Sequence, residues 1–126
     1  MDYFTYRHGT MHAEEVALEA IAAEVGTPFY CYSRATLQRH ATVFTEALAS
    51  VNPLVCFAVK ACSNIAVLRT LAQVGLGADV VSEGELRRAL AAGIPPQKIV
   101  FSGVGKTADE MRFALQQNIL QLSLIA

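Results

Sequence analysis

The sequence predicts an α/β fold built from parallel βα units, arranged either as part of a barrel or as a small open sheet. Two observations lead there. Short apolar runs that read as strands begin near residues 54, 78, 98 and 119, a spacing of about 20 to 24 residues that suits successive βα units. Helical patterns fill the gaps, and they end at Gly75, at Gly93 and near Asn118. A third observation bounds the size. The chain has 126 residues, enough for one domain, whereas a complete (β/α)8 barrel takes roughly 250. A barrel reading therefore means an incomplete barrel.

The elements follow in order. Residues 12–25 read as a helix, because Ala17, Leu18, Ile21, Ala22 and Val25 share one face and Gly26 can end it. "TPFYCYS", residues 27–33, reads as a short aromatic strand. Ser33 then caps a longer helix with the stripe Leu37, Ala41, Phe44, Leu48 and Val51, stopped by Asn52-Pro53. "LVCFAV" is the first strand of the regular series, and a helix over 64–74 follows it. "ADVV" is the second strand. Ser82 and Glu85 have the spacing of a capping box, and their helix runs to Gly93, ahead of Pro95-Pro96. "KIVF" is the third strand, Thr107 and Glu110 form a second capping box, and "ILQLSLIA" closes the chain as a fourth strand. The period is near that of a leucine-rich repeat, but the L-x-x-L-x-L-x-x-N core is absent.

Composition narrows the function classes. Hydrophobic residues make up 53% and charged residues 17%, which suits a packed core and not a disordered chain. A net charge of −1 points to no nucleic-acid or membrane partner. The first residues, with Asp2, Arg7 and His8, lack the apolar core of a secretory signal, and no run approaches the roughly 18 apolar residues of a membrane span. Cys31, Cys56 and Cys62 are an odd number without C-x-x-C spacing, and read as free thiols of a reducing cytosol. His8, His12 and His40 do not have metal-ligand spacing, so no metal site is expected.

In parallel α/β folds the reactive groups gather at the carboxyl ends of the strands. Lys60, Ser82 and Ser102 each follow such a strand. Lys60 ends an apolar run that would be buried on both faces, an unusual place for an amine. A partly desolvated amine can act as a nucleophile or form a Schiff base; equally, a strand-end lysine can simply reach into solvent. Asp79 lies inside the second strand, where aspartate has poor propensity. It either pairs with a group at the mouth of the sheet or marks a polar edge. "SGVGKT", residues 102–107, looks like a phosphate loop, but a Walker A motif needs glycine where Val100 stands, so Lys106 reads as a solvated lysine. Glu14, Glu15, Glu83 and Glu85 read as solvated acids at helix starts, and Cys56 as a small apolar residue.

The stretch "FAVKACSNIAVLRTLAQVGLGADVVSEGELRRALAAGIPPQKIVFSGVGKT" resembles the diaminopimelate decarboxylases, and "HAEEVALEAIAAEVGTPFYCYSRATLQRH" resembles their N-terminal segment. These enzymes belong with ornithine and arginine decarboxylases to the alanine-racemase-like, fold type III pyridoxal-phosphate enzymes. The likeness runs from about residue 6 to about residue 119. It implies the N-terminal part of a pyridoxal-phosphate-binding TIM-like (β/α)8 barrel, as one partial domain over residues 1–126. Residues 1–32 would join a C-terminal β domain, and 33–126 would form the first βα units.

The resemblance also implies a cofactor, pyridoxal 5'-phosphate. Lys60 is then the lysine that holds the cofactor through its aldehyde, and Asp79 matches an aspartate close to it. The implied reaction turns meso-diaminopimelate into L-lysine and carbon dioxide, in the cytoplasm, in an enzyme that is a homodimer when full length. Departures are visible. Cys62 stands where many members have asparagine, and Ser102 where some have histidine. "LQLSLIA" replaces an "NVES"-like continuation. The family's later histidine, glycine-rich phosphate site, acid facing the pyridine nitrogen, "EPGR" stretch and substrate-binding residues have no counterpart in these 126 residues. The expectation is a truncated or frameshifted N-terminal portion, inactive alone. Three alternatives stand beside it: a non-enzymatic module binding the cofactor or a homologue, a small pyridoxal-phosphate carrier, and another fold type III amino-acid decarboxylase.

Overall fold

The computed structural model describes residues 2–124. It begins with a three-stranded antiparallel sheet that the hydrophobic pattern does not announce. Strands β1 (Phe4–Arg7) and β2 (Thr10–Ala13) form a hairpin in the register Phe4 to Ala13 and Arg7 to Thr10. His8 and Gly9 make its two-residue turn, with φ of 50° and 83°, the double positive φ of a tight hairpin turn. β3 (Val16–Ala17) adds to β2, and α1 (Leu18–Val25) follows at once.

The helix predicted over 12–25 is therefore shorter. Residues 12, 13, 16 and 17 are in strands, and Glu14 has a φ of 57°. Local helix propensity is weak there beside the backbone pairing that β1 offers to β2, and β2 to β3. "TPFYCYS" is likewise not a strand. It runs without strand assignment through residues 27–33, and Tyr30 is 91% exposed. A strand exists only with a neighbour to accept its backbone hydrogen bonds, and no described segment pairs with this one.

The rest follows the predicted order. α2 (Arg34–Ala47) starts at Ser33, whose hydroxyl accepts from the Thr36 N–H, and a single 3-10 turn carries it on to Val51. β4 (Cys56–Ala58), α3 (Ile65–Gln73), β5 (Gly77–Val80), α4 (Glu83–Ala91), β6 (Ile99–Phe101), α5 (Ala108–Gln116) and β7 (Gln121–Leu122) complete the chain. The predicted fourth strand is thus short. Of its alternating leucines only Leu122 packs on the core, and Ile125 and Ala126 lie outside the described residues.

Strands β4 to β7 form one parallel sheet in the order β4-β5-β6-β7. That order separates the two architectures left open by the pattern. A doubly wound sheet reverses its strand order at a switch point, whereas a barrel winds steadily in one direction. The steady winding is that of an α/β barrel segment.

One face of this sheet is packed. Val59, Val80, Ile99 and Phe101 are fully buried with Leu68 of α3, Leu86 and Ala89 of α4 and Ala114 of α5. Burying a side chain such as Phe101 is worth about 1.5–3 kcal/mol. The other face carries the alternate residues Ala58, Asp79 and Val100, aligned across β4, β5 and β6 and all half-buried. Period-two alternation thus separates a helix-covered face from an open one. Two glycines let the strands close up: a Cβ on Gly77 would stand 2.2 Å from the Lys98 carbonyl oxygen, and one on Gly103 would stand 2.4 Å from that of Val81.

Candidate functional site

The carboxyl end of the parallel sheet brings together the residues singled out in the sequence. β4 passes directly into a 3-10 turn, Val59–Ala61. Val59 is buried in the core and anchors the turn, while Lys60 is exposed. The Cys62 N–H bonds back to the Val59 carbonyl, and Asn64 caps α3 by accepting from the Ala66 and Val67 N–H groups. Arg88 of α4 donates to the Ser63 carbonyl. The loop carrying Lys60 is thus fixed on both sides by backbone bonds.

The three lysines of the chain differ in one respect. Lys98 donates its amine to the Gly75 carbonyl at 2.9 Å. Lys106 donates to the carbonyls of Gly103 and Ser123, and its amine lies 5.3 Å from the centre of the Phe101 ring. Lys60 alone has no hydrogen-bond partner among the described residues. The solvated lysine expected at 106 is instead half-buried and ties the glycine loop to the end of β7, because the loop turns its carbonyls inward and an amine satisfies them.

Asp79 does not mark a polar edge. β5 has β4 on one side and β6 on the other, and Asp79 aligns with Ala58 and Val100. Its Oδ1 accepts from the Ser102 hydroxyl at 2.5 Å. Ser102 is held in turn by its own N–H, which donates to the Val80 carbonyl. Cys56 faces the same region. Burial raises its thiol pKa, the Asp79 charge adds to the rise, and Lys98 opposes it. Cys56 is half-buried, with its thiol directed to the Lys98 carbonyl, so it packs much as expected. Beside the Lys60 loop, the Tyr32 hydroxyl lies near the Cys62 thiol, and that neighbour raises the tyrosine pKa.

Ser82 is a helix cap and nothing more: its oxygen accepts from the Glu85 N–H. The reciprocal half of the box is displaced by one residue, since Glu85 accepts from Val81 and not from Ser82. At α5 the box is complete. There Glu110 also accepts from the Glu83 N–H, joining the starts of α4 and α5, and these backbone bonds lower its pKa. Glu14 was missed by pattern reasoning. It is half-buried and takes hydrogen bonds from the Ser33 hydroxyl and the Ala35 N–H. Its acceptor role depends on the hairpin, and no local signal gives that. Glu15 pairs with Arg7. No cluster of three metal-ligating side chains exists among the described residues, nor does any helix long and apolar enough to cross a membrane. A cavity of about 420 Å³ lies at the hairpin between Tyr3, Arg7, Glu14 and Arg39, away from Lys60.

A steadily wound parallel sheet with an unpartnered amine at the carboxyl end of its first strand is that of an α/β-barrel segment with a candidate nucleophile at its reactive end. The comparisons make the class specific. Residues 15–124 match the family model "Pyridoxal-dependent decarboxylase, pyridoxal binding domain", and the chain belongs to this family. The match runs past residue 119, where the resemblance was expected to end. The chain is 55% identical over 120 residues to the diaminopimelate decarboxylase of Vibrio cholerae, covering 94% of this chain and 29% of that protein. It is 55% identical over 119 residues to the enzyme of the same name from Pseudomonas aeruginosa, again covering 94% and 29%. The crystal structure of Helicobacter pylori diaminopimelate decarboxylase complexed with L-lysine matches with a TM-score of 0.80 and 44% identity, over 86% of this chain and 28% of that one. The M. jannaschii enzyme in co-complex with L-lysine matches with a TM-score of 0.91 and 32% identity, over 97% and 30%. The chain therefore spans under a third of the length of these relatives.

The residues present fit the group that the family binds. An aldehyde needs an unencumbered amine, and Lys60 supplies one at the edge of an open sheet face floored by the small side chain of Ala58. At the start of α5 the Thr107 N–H is taken by the Glu110 carboxylate and the Glu110 N–H by the Thr107 hydroxyl.

Proposed function

We propose that this chain supplies the lysine-bearing part of a diaminopimelate decarboxylase, which converts meso-diaminopimelate to L-lysine and carbon dioxide. The observation that carries the reading is the Lys60 amine, unpartnered at the carboxyl end of β4 while both other lysines are tied to carbonyls. The 55% identity to diaminopimelate decarboxylases supports this substrate over other amino acids, since lysine/ornithine decarboxylase from Vibrio vulnificus shares only 22% and speaks to the fold alone.

In this reading Lys60 binds the aldehyde of pyridoxal 5'-phosphate and gives it up to the substrate amine, then recovers it when the product leaves. When bound, the cofactor's ring takes up the electron pair left behind by carbon dioxide. Asp79, on the neighbouring strand and the same open face, would present its carboxyl group to the bound cofactor. Val59 and the backbone bonds of the 3-10 turn keep the Lys60 stem in place through the exchange. Residues 1–32 form the segment that meets a C-terminal β domain, an assignment favoured by the run 27–32, which joins no strand among the described residues and leaves Tyr30 and Tyr32 exposed. The working enzyme is a cytoplasmic homodimer.

The test joins residues 1–124 to the remaining portion of the Vibrio cholerae enzyme and measures carbon dioxide release from meso-diaminopimelate. Release is expected with Lys60 and is expected to vanish with Lys60→Ala. A Lys60→Ala protein as active as its parent would remove the assignment.

A further inference from the structure

Ser102 has no part in the reading above, yet its position is more constrained than a surface serine requires. Its N–H is committed to the Val80 carbonyl, so it extends the β5–β6 ladder by one residue. The next residue, Gly103, is buried and packs so closely on Val81 that a Cβ would come within 2.4 Å of its carbonyl oxygen and 2.9 Å of its Cα. That contact fixes the chain on the far side of Ser102. The hydroxyl is thus held from both directions, and it donates to Asp79 Oδ1. Asp79 has no other hydrogen-bond partner for its side chain among the described residues. A carboxylate held by one oxygen keeps the other free and aimed. Lys60 lies two residues beyond Ala58, the β4 residue aligned with Asp79, and its flexible four-carbon stem can swing the amine over that small side chain.

We infer that Ser102 is a positioning residue: it holds the Asp79 carboxylate where that group can take the proton Lys60 sheds as its nitrogen bonds to an aldehyde. The inference rests on Lys60 being the amine that binds the cofactor. In the step, the lysine nitrogen bonds to the aldehyde carbon and the carbonyl electron pair moves to oxygen. Asp79 takes one proton from the ammonium nitrogen before that bond forms and passes it to the oxygen, then relays a second from nitrogen to the same oxygen, which leaves as water. A carbon–nitrogen double bond remains.

The experiment follows that bond by absorbance on mixing the 126-residue chain with pyridoxal 5'-phosphate. Borohydride then reduces it to a stable secondary amine, and peptide mass mapping assigns the lysine. Ser102→Ala is expected to slow bond formation at Lys60 about threefold, and Ser102→Thr, which keeps the hydroxyl, to restore the parental rate. In an Asp79→Asn background Ser102→Ala is expected to add nothing, because two residues acting through one interaction are not additive. Modification at Lys98 serves as the internal control and stays at its parental rate in every variant, which separates positioning from a general loss of structure. A parental rate in Ser102→Ala, or an equal slowing in the Asp79→Asn background, would overturn the inference and leave the functional reading standing. Modification of Lys60 no faster than Lys98 in the parent chain would overturn both.

Discussion

Ser33 donates its hydroxyl to Glu14 Oε1 at 2.8 Å across 19 residues of sequence, while the same oxygen accepts from the Thr36 N–H. The Ala35 N–H also donates to Glu14. The start of α2 is therefore capped by its own serine and by a carboxylate delivered from the β2–β3 turn. One short network locks the N-terminal hairpin to the first long helix, and so to the α/β part of the molecule.

Removing that carboxylate should cost stability in a pH-dependent way. The Ala35 N–H first, and the Ser33 hydroxyl second, hold the Glu14 carboxyl below the ordinary glutamate value. A carboxyl depressed by folding stabilises fully above its unfolded pKa, about 4.3, and the gain is lost as the pH falls through the lower folded value. Glu14→Gln should therefore lower unfolding stability by about 1 kcal/mol at pH 7, the usual cost of a lost cap. The difference should shrink below about pH 4. Urea unfolding of both proteins at pH 7 and pH 3 checks this. An equal difference at both pH values would mean that the charge is not what matters.

The glycines should divide by sign. Gly103→Ala and Gly77→Ala force a Cβ into backbone carbonyls, where nothing can swing aside, and each should destabilise by about 1–3 kcal/mol. Gly84, inside α4, meets only the Ser82 hydroxyl at an ordinary 3.9 Å. Gly84→Ala should stabilise by about 0.5–1 kcal/mol, because alanine loses less backbone freedom in a helix. Thermal denaturation of the three variants is the measurement, and destabilisation by Gly84→Ala would contradict the account.

Selective chemistry at Lys60 is the next expectation. With pyridoxal 5'-phosphate and borohydride, Lys60 should be labelled several-fold faster than Lys98 or Lys106, whose amines must first leave their carbonyl partners. Mass mapping after short exposure gives the ratio. Near-equal labelling of all three would show that the hydrogen bonds of Lys98 and Lys106 do not protect them.

Turnover by the 126-residue chain alone should not exceed that of free cofactor. Lys60 offers a covalent hold, but no residue described here grips the phosphate, and orientation can supply about 7–11 kcal/mol of a barrier. Among the described residues β4 and β7 are each paired on one side only, which also favours association between copies. The assay compares lysine formed from meso-diaminopimelate by the purified chain with a blank holding cofactor only. Formation well above the blank, lost in Lys60→Ala, would refute the expectation.

Sequence alone determined the parallel series. Apolar runs at a regular spacing, the serine and threonine caps, and the glycines that end the helices are local signals, and β4 to β7 with α2 to α5 lie where those signals placed them. Lys60 was legible too, since an amine that closes a buried strand conflicts with its surroundings and stands out for that reason. The tertiary structure decided the rest. Residues 12, 13, 16 and 17 pair into strands against their own helical pattern, because β1 and β2 supply hydrogen bonds that this pattern does not record. Residues 27–33 keep a strand's composition but lack a neighbour to pair with. Strand order, and with it barrel winding over a doubly wound sheet, is a matter of which strands meet and not of where they begin. The same holds for Asp79 and Ser102, and for Glu14 and Ser33: each pair is distant in sequence, and only the pairing of strands and the docking of the hairpin bring its members within reach. A local pattern encodes which face a residue takes, whereas a partner across the fold is set by the whole chain closing on itself.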